Sequence, residues 1–332
     1  MSPFERYSRQ IQVEKIRLLG QQKLNAASVI IVGAGGLGCQ VGAQLAGAGI
    51  GKITIVDHDN ISISNLHRQI LFRENHIGQN KSLIASQELT KINSEIKIDN
   101  KSIRLNQSNV ASLIDDSSIV VDAADNFLTS YILSDYCYAN RIPLVSASVN
   151  STFGWVGVFC GTNQIPAPSI RSVFPQLANQ ITNCDVVGVT GPSVGVIASI
   201  QAQEAIKVAV GDKAQLIGKL LYLDLWNYQQ HFVDFSNSQE PDHQDLSFVS
   251  ASEITPDNLV IDVRNSNEII KSPFDFNNLL TIPLADLSNE SGSMSKDTPI
   301  VLACTSGQRA LIGAQQLLKH QFEQISVLVP DD

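Results

Sequence analysis

The chain is poor in the features that would place it in several large classes. Its five cysteines, Cys39, Cys137, Cys160, Cys184 and Cys304, are scattered and form no CxxC pair, which argues against a disulfide framework and against a cysteine zinc site. A reducing, cytoplasmic setting is the resulting expectation. The longest apolar run, near 186–200, is too short to cross a bilayer and is broken by Gly and Pro, so no membrane partner is expected. Basic residues are in deficit, 23 Lys and Arg against 32 Asp and Glu, and the net charge of −9 disfavours nucleic acid or an anionic membrane as the main partner. The opening MSPFERYSRQ carries charges and no apolar core, unlike a signal peptide or anchor. There is no internal repeat and no low-complexity tract.

What the chain does have is 332 residues at 43% hydrophobic content, a prior for two domains that each bury a core. Apolar runs rich in Val and Ile alternate with helical patterns. Strands are expected at 28–33, 52–57, 95–101, 118–122 and 143–149, and helices at 36–48, 78–92, 107–115 and 127–140. Such alternation predicts a doubly wound, mostly parallel, Rossmann-like α/β sheet. Closely spaced runs at 153–160, 219–225 and 228–235 predict an antiparallel extension. Residues 163–185, polar and carrying Pro166, Pro168 and Pro175, read as a long crossing loop. Residues 236–246 read as a linker, separating a domain over 1–235 from one over 247–332 with its own β/α alternation.

The richest segment is SVIIVGAGGLGCQVGAQLAGAGIGKITIVDHD, from Ser28 to Asp59: strand, glycine turn, helix, and a second strand ending in acid. Gly33, Gly35 and Gly36 allow close backbone approach to a phosphate, and Gly38 allows helix–strand packing. Asp57, about 20 residues beyond the turn, is suited to a ribose hydroxyl. A dinucleotide fingerprint alone does not call for the downstream cations Arg68 and Lys81, which suit a triphosphate and point to ATP. Taken singly, Arg68 and Lys81 are as readily surface charges as ligand contacts, Asp125 could serve as a helix N-cap before FLTSYIL, and Asp122 either lines the cleft or satisfies a turn.

GAGGLG, IVDHD, SNLHRQ, Lys81 and DAADN at 122–126, with YSRQI at 7–11 and QAQEAIK at 201–207, resemble the ubiquitin-activating-type adenylyltransferases of sulfur-carrier pathways, in the thiamine and molybdopterin branches. The resemblance covers roughly residues 5–235. It implies nucleotide contacts by Gly36, Asp57, Ser64, Asn65, Arg68 and Lys81, and magnesium held by Asp125 with Asn126 beside it. It further implies that Arg9 acts in the partner subunit of a homodimer. Cys184 matches the position of a cysteine able to link to the carrier. The first of two zinc-binding CxxC pairs in relatives aligns with Ser169 and Ser172, and the second has no counterpart near SQEPDHQD, so no zinc site is expected. His67 replaces the usual glutamine and reads as neutral variation.

A second resemblance covers the C-terminal segment. IDVR at 261–264, PIVLAC, and CTSGQRA at 304–310 opening a helix are similar to a rhodanese-type sulfurtransferase, in which the cysteine carries a persulfide. Backbone N–H groups, the helix dipole and Arg309 would stabilise an anion at Cys304. The bland reading is a buried strand-end cysteine. The segment is short, and SPFDFNNLL matches the family poorly.

Together the two resemblances imply ATP-dependent adenylation of the C-terminal glycine of a ubiquitin-like sulfur carrier ending in Gly-Gly. Sulfur then arrives through Cys304 from a persulfide donor such as a cysteine desulfurase. Two other classes remain: an NAD-dependent oxidoreductase using the same turn, and a catalytically idle carrier-binding scaffold.

Overall fold

The computed structural model describes residues 4–114, 117–175, 188–241 and 246–330. Cys184 lies outside the described residues. Two short helices, α1 (Ser8–Ile11) and α2 (Arg17–Ala26), lead into β1 (Ser28–Val32), α3 (Gly36–Ala48), β2 (Lys52–Val56), α4 (Lys81–Ile92) and β3 (Lys97–Lys101). The chain continues through α5 (Val110–Ile114), β4 (Ile119–Asp122), α6 (Phe127–Asn140), β5 (Leu144–Asn150), β6 (Phe153–Phe159), α7 (Ile170–Val173), α8 (Gly191–Val210), β7 (Lys219–Asp224) and β8 (Gln229–Asp234).

These strands form one sheet in the order β3-β2-β1-β4-β5-β6-β7-β8. Pairing is parallel through β5 and antiparallel beyond it. The core strands read as continuous apolar runs, Ser-Val-Ile-Ile-Val in β1 and Ile-Val-Val in β4, because helices cover both faces. Side-chain caps start the helices where the sequence supplies them: Asn80 accepts from Leu83 N, Asn126 from Thr129 N, and Thr190 from Ser193 N. Gly49 and Gly211 end α3 and α8 in the left-handed conformation. The order reverses at β1, with β2 on one side and β4 on the other, so a crevice opens at the carboxyl ends of β1 and β4.

The C-terminal segment contains β9 (Ser247–Val249), β10 (Leu259–Asp262), α9 (Ser266–Lys271), β11 (Leu279–Thr281), α10 (Leu287–Glu290), β12 (Ile300–Ala303), α11 (Gln308–Lys319) and β13 (Ile325–Leu328). Its five strands are all parallel, in the order β11-β10-β12-β13-β9. The edge strand β9 was not expected, since Ser-Phe-Val is too short to display a period.

Two features differ from the expectation of separate cores joined by a free linker. Leu128, Tyr131 and Ile132 of α6 belong to the same buried cluster as Leu287, Cys304, Leu311 and Ala314. The connecting segment is pinned as well, with Phe235 buried and Glu240 accepting from Ser169 N and Ser169 Oγ, each at 2.6 Å. Burying apolar surface between the sheets stabilises at roughly 25 cal/mol per Å2, and this drives the shared core.

Candidate functional site

The glycine turn after β1 is forced by backbone contacts. Gly33 has φ +97, and a Cβ there would fall 2.6 Å from Ala123 O. A Cβ on Gly38 would fall 1.8 Å from Gly33 O, so α3 can leave the turn this closely only with glycine at that position. The turn is also tied to β2: Asp57 Oδ2 accepts from Ala34 N at 2.7 Å and Oδ1 from Asp59 N at 2.8 Å. Burial pushes the Asp57 carboxyl above its ordinary range, with Lys81 and these N–H groups partly opposing the shift.

A cavity of about 930 Å3 opens above this turn, between β1 and β4. Its lining brings together Gly33, Gly35, Gly36, Asp57, Ser64, Asn65, Arg68, Lys81, Asp125 and Asn126. Gly38 does not line it and acts behind it. Asn126, and not Asp125, caps α6, which leaves the Asp125 carboxylate facing the cavity with Asn126 Nδ2 at 3.4 Å. Arg68 Nη1 donates to Ser64 O at 3.1 Å and to His67 Nε2 at 2.8 Å, so His67 touches the cavity's arginine. Arg9, on exposed α1, is not among the lining residues of this chain's cavity.

Several lining residues escaped the motif reading. Asp59 Oδ2 accepts from the buried Lys81 Nζ at 2.9 Å and aims that cation. Burial would raise the Asp59 carboxyl, but the Lys81 hydrogen bond and the Lys81, His58 and Arg104 charges outweigh it, and the net shift is downward. Gln69 is buried, lines the cavity, and has no hydrogen-bond partner for Oε1 among the described residues, an acceptor suited to a ligand donor. Phe127, Trp155 and Phe174 form an aromatic wall, with Trp155 and Phe174 stacked at 5.3 Å. Carboxylates and cations are detectable as residue types, but their pairing depends on the way α4 is set against β2.

Asp122 satisfies a turn. Its Oδ1 accepts from Ala124 N and its Oδ2 from Ser146 Oγ, and it lies outside the cavity lining. Gln201 of the QAQEAIK motif donates to Asp122 O at 2.7 Å and Val145 O at 3.0 Å, locking α8 to the strand ends. Where relatives' first CxxC pair aligns, Ser169 caps α7 and is held by Glu240, so hydrogen bonds clip the two segments.

Cys304 follows β12 and is fully buried, with Ala310 N donating to its Sγ at 3.4 Å. Gly307 takes φ +78 to start α11. Arg309 is not free to grip a ligand at Cys304 with its terminal nitrogens, because both donate to Glu268, at 2.7 and 2.6 Å. That hydrogen bond holds the Glu268 carboxyl at about 2. Arg264 pairs with buried Asp262 and lies over the Phe274 ring at 3.8 Å. None of the four described cysteines forms a disulfide, and burial pushes the Cys39 thiol up to about 12.

The chain resembles an adenylyltransferase and sulfurtransferase MOCS3 from Anopheles gambiae, 42% identical over 221 residues, covering 66% of this chain and 49% of that protein. A MOCS3 of Aedes aegypti is 32% identical over 376 residues, covering 98% of this chain and 84% of that relative. Measured against the Anopheles relative, the chain spans about half the length of the curated protein it matches. Among solved structures, E. coli MccB with ATP superposes with TM-score 0.61 at 25% identity, covering 70% of this chain and 72% of that one. Residues 7–245 match the ThiF family, and with the glycine turn, the paired cations and Asp125 gathered on one cavity, the chain belongs to the ThiF family.

Proposed function

We propose that this protein adenylates the C-terminal glycine carboxylate of a ubiquitin-like sulfur carrier and then passes sulfur to it through Cys304. The observation that carries the reading is the convergence of Arg68, Lys81 and Asp125 on the cavity of the glycine turn. A carboxylate with an ordinary pKa of about 3.5 is already ionised and needs no general base. The barrier is the approach of one anion to another, and the site answers it with positioning and cations. The carrier carboxylate attacks the α-phosphorus of ATP, the bond to the β-phosphate oxygen breaks, and pyrophosphate leaves. Backbone at Gly33 and Gly36 and the side chains of Arg68 and Lys81 would bear on the phosphates, and Asp57 on the ribose. Asp125, with Asn126, would hold magnesium, which when bound lowers the phosphate charge. The cavity fits these groups, since Asp125 faces it without capping α6 and the buried Gln69 Oε1 offers an unused acceptor.

Sulfur transfer balances in three steps. Cys304 thiolate takes the outer sulfur of a donor persulfide, such as that of a cysteine desulfurase, and the donor leaves as thiolate. The Cys304 persulfide attacks the acyl carbon and AMP leaves, giving an acyl–S–S–cysteine. A thiol, either Cys184 or an external one, cleaves that S–S bond and releases the thiocarboxylate, leaving a disulfide that a thiol reductant reopens. The all-parallel sheet with a cysteine between β12 and α11 supports a rhodanese-like reading of 247–332. The full-length similarity to a relative named adenylyltransferase and sulfurtransferase supports both steps on one chain.

Arg9 would act in the pocket of a second copy, making the working form a homodimer. No helix among the described residues is long and apolar enough to cross a membrane. The carrier is one of the molybdopterin or the thiamine branch, and the similarity to an adenylyltransferase and sulfurtransferase MOCS3 supports a carrier that receives sulfur. The test is carrier-dependent exchange of pyrophosphate into ATP. Exchange present in the wild type, cut about 100-fold or more in Lys81→Ala and intact in Cys304→Ala is the expected result. Tight NAD binding without exchange would overturn the reading in favour of an oxidoreductase, and carrier binding without exchange in favour of an idle scaffold.

A further inference from the structure

One side of α6 carries the nucleotide-facing residues and the other side receives the Cys304 loop. Asp125, Asn126, Phe127 and Thr129, at the start of α6, line the cavity. The Asp125 carbonyl accepts from Gln308 Nε2 of the cysteine loop at 3.3 Å. Leu128, between the cavity residues, is 3% exposed, and a Cβ on Gly307 would fall 2.2 Å from its Cδ2. Further along α11, Gln315 Nε2 donates to Pro175 O at 3.4 Å, beside the Phe174 of the cavity wall. Gly307, Leu311 and Gln315 follow helical spacing and share one stripe of α11, with Gln308 reaching Asp125 beside it. Cys304 is fully buried in this docked arrangement, where no donor persulfide can reach it.

We propose that the 304–309 loop is a positioning element of the nucleotide pocket: docked on α6 it holds the Asp125–Asn126 turn in place and at the same time shields Cys304. The proposal rests on the reading of the cavity as an ATP site. Coupling of this kind is reciprocal, so a nucleotide that favours the held turn also favours docking, and undocking weakens the nucleotide. Adenylation and sulfur uptake then alternate on one chain. The pocket fills while Cys304 is closed, and Cys304 loads when the second sheet swings free.

The test is alkylation of Cys304 by N-ethylmaleimide in the full chain, followed at the Cys304 peptide by mass spectrometry, with and without ATP and magnesium. The wild type is expected to react slowly and ATP to slow it further. Leu128→Ala should speed the reaction at least about tenfold and weaken ATP affinity measured by calorimetry, because the apolar contact is what closes the dock. Gln315→Ala, a milder change that leaves the core intact, should shift both quantities in the same direction by smaller amounts. A Cys304 rate equal to that of the urea-unfolded chain would overturn the proposal. So would ATP binding that leaves the rate unchanged in the wild type and in both folded variants. Failure of ATP to bind at all would instead overturn the reading of the pocket.

Discussion

The glycine turn after β1 and the cysteine turn after β12 are built on the same local plan, a parallel strand that ends in a special turn and enters a helix, yet they face their surroundings differently. At the first, the turn after β1 opens on a cavity lined by Arg68, Lys81 and three carboxylates, Asp57, Asp59 and Asp125. At the second, Leu128 packs on Gly307, Cys304 is fully buried, and the arginine of the turn is committed to Glu268. A charged, open turn suits a polyanion that arrives from solvent. A buried cysteine is inert as a nucleophile until what covers it moves away. The difference lies in what packs over each turn more than in the turns themselves.

The largest effects should separate the two centres by activity. Lys81→Ala is expected to reduce pyrophosphate exchange about 100- to 1,000-fold, the usual cost of removing one preorganised charge partner of a reacting anion. Cys304→Ala should leave exchange at the wild-type level and abolish thiocarboxylate formation, read by mass spectrometry of the carrier. Loss of exchange in Cys304→Ala would show that the two centres are not separable.

Next come the turns. Gly38→Ala should cost about 3 kcal/mol in urea unfolding, because its Cβ would meet the backbone oxygen of Gly33, which cannot move aside. Gly307→Ala should cost about 1–2 kcal/mol for its left-handed φ, since the atom it meets is the mobile end of Leu128. Equal costs would break the distinction between a backbone-forced turn and one pressed by a side chain.

Glu240→Ala should destabilise by about 2 kcal/mol, the value of a charge-assisted hydrogen-bonded clip, with Ser169→Ala adding little on top of it. The smallest effect is electrostatic. Glu268 is held at about 2 by Arg309, below the ordinary 4.5, so its contribution to stability is complete above pH 4.5 and is lost as the pH falls toward 2. Thermal unfolding of Glu268→Gln across that window should show a shallower decline than the wild type.

Much of the first sheet was legible because its signals are local. The expected strand at 28–33 is β1 at Ser28–Val32, and the expected helix at 127–140 is α6 over the same residues. Gly33, Gly35, Gly36, Asp57, Ser64, Asn65, Arg68, Lys81, Asp125 and Asn126 stand in short motifs and meet on one cavity, with Gly38 behind it. Contacts between residues far apart in the chain were not legible. Lys81 on Asp59, Ser169 on Glu240 and Gln308 on Asp125 each join segments whose separation no periodicity records. Cys304 is buried, as a plain strand-end cysteine would be, and the sulfur-carrying role proposed for it requires what covers it to move away.

Residue order alone determined the parallel alternation, the glycine turn and the types of charged residue near it, because backbone preference and apolar period act over a few neighbouring positions. The tertiary structure alone decided that the two sheets share a core across α6, that Lys81 is aimed by Asp59, and that the segment after Cys304 packs against the start of α6 beside the cavity. Those outcomes depend on burying apolar surface between distant segments, a property of the packed chain as a whole.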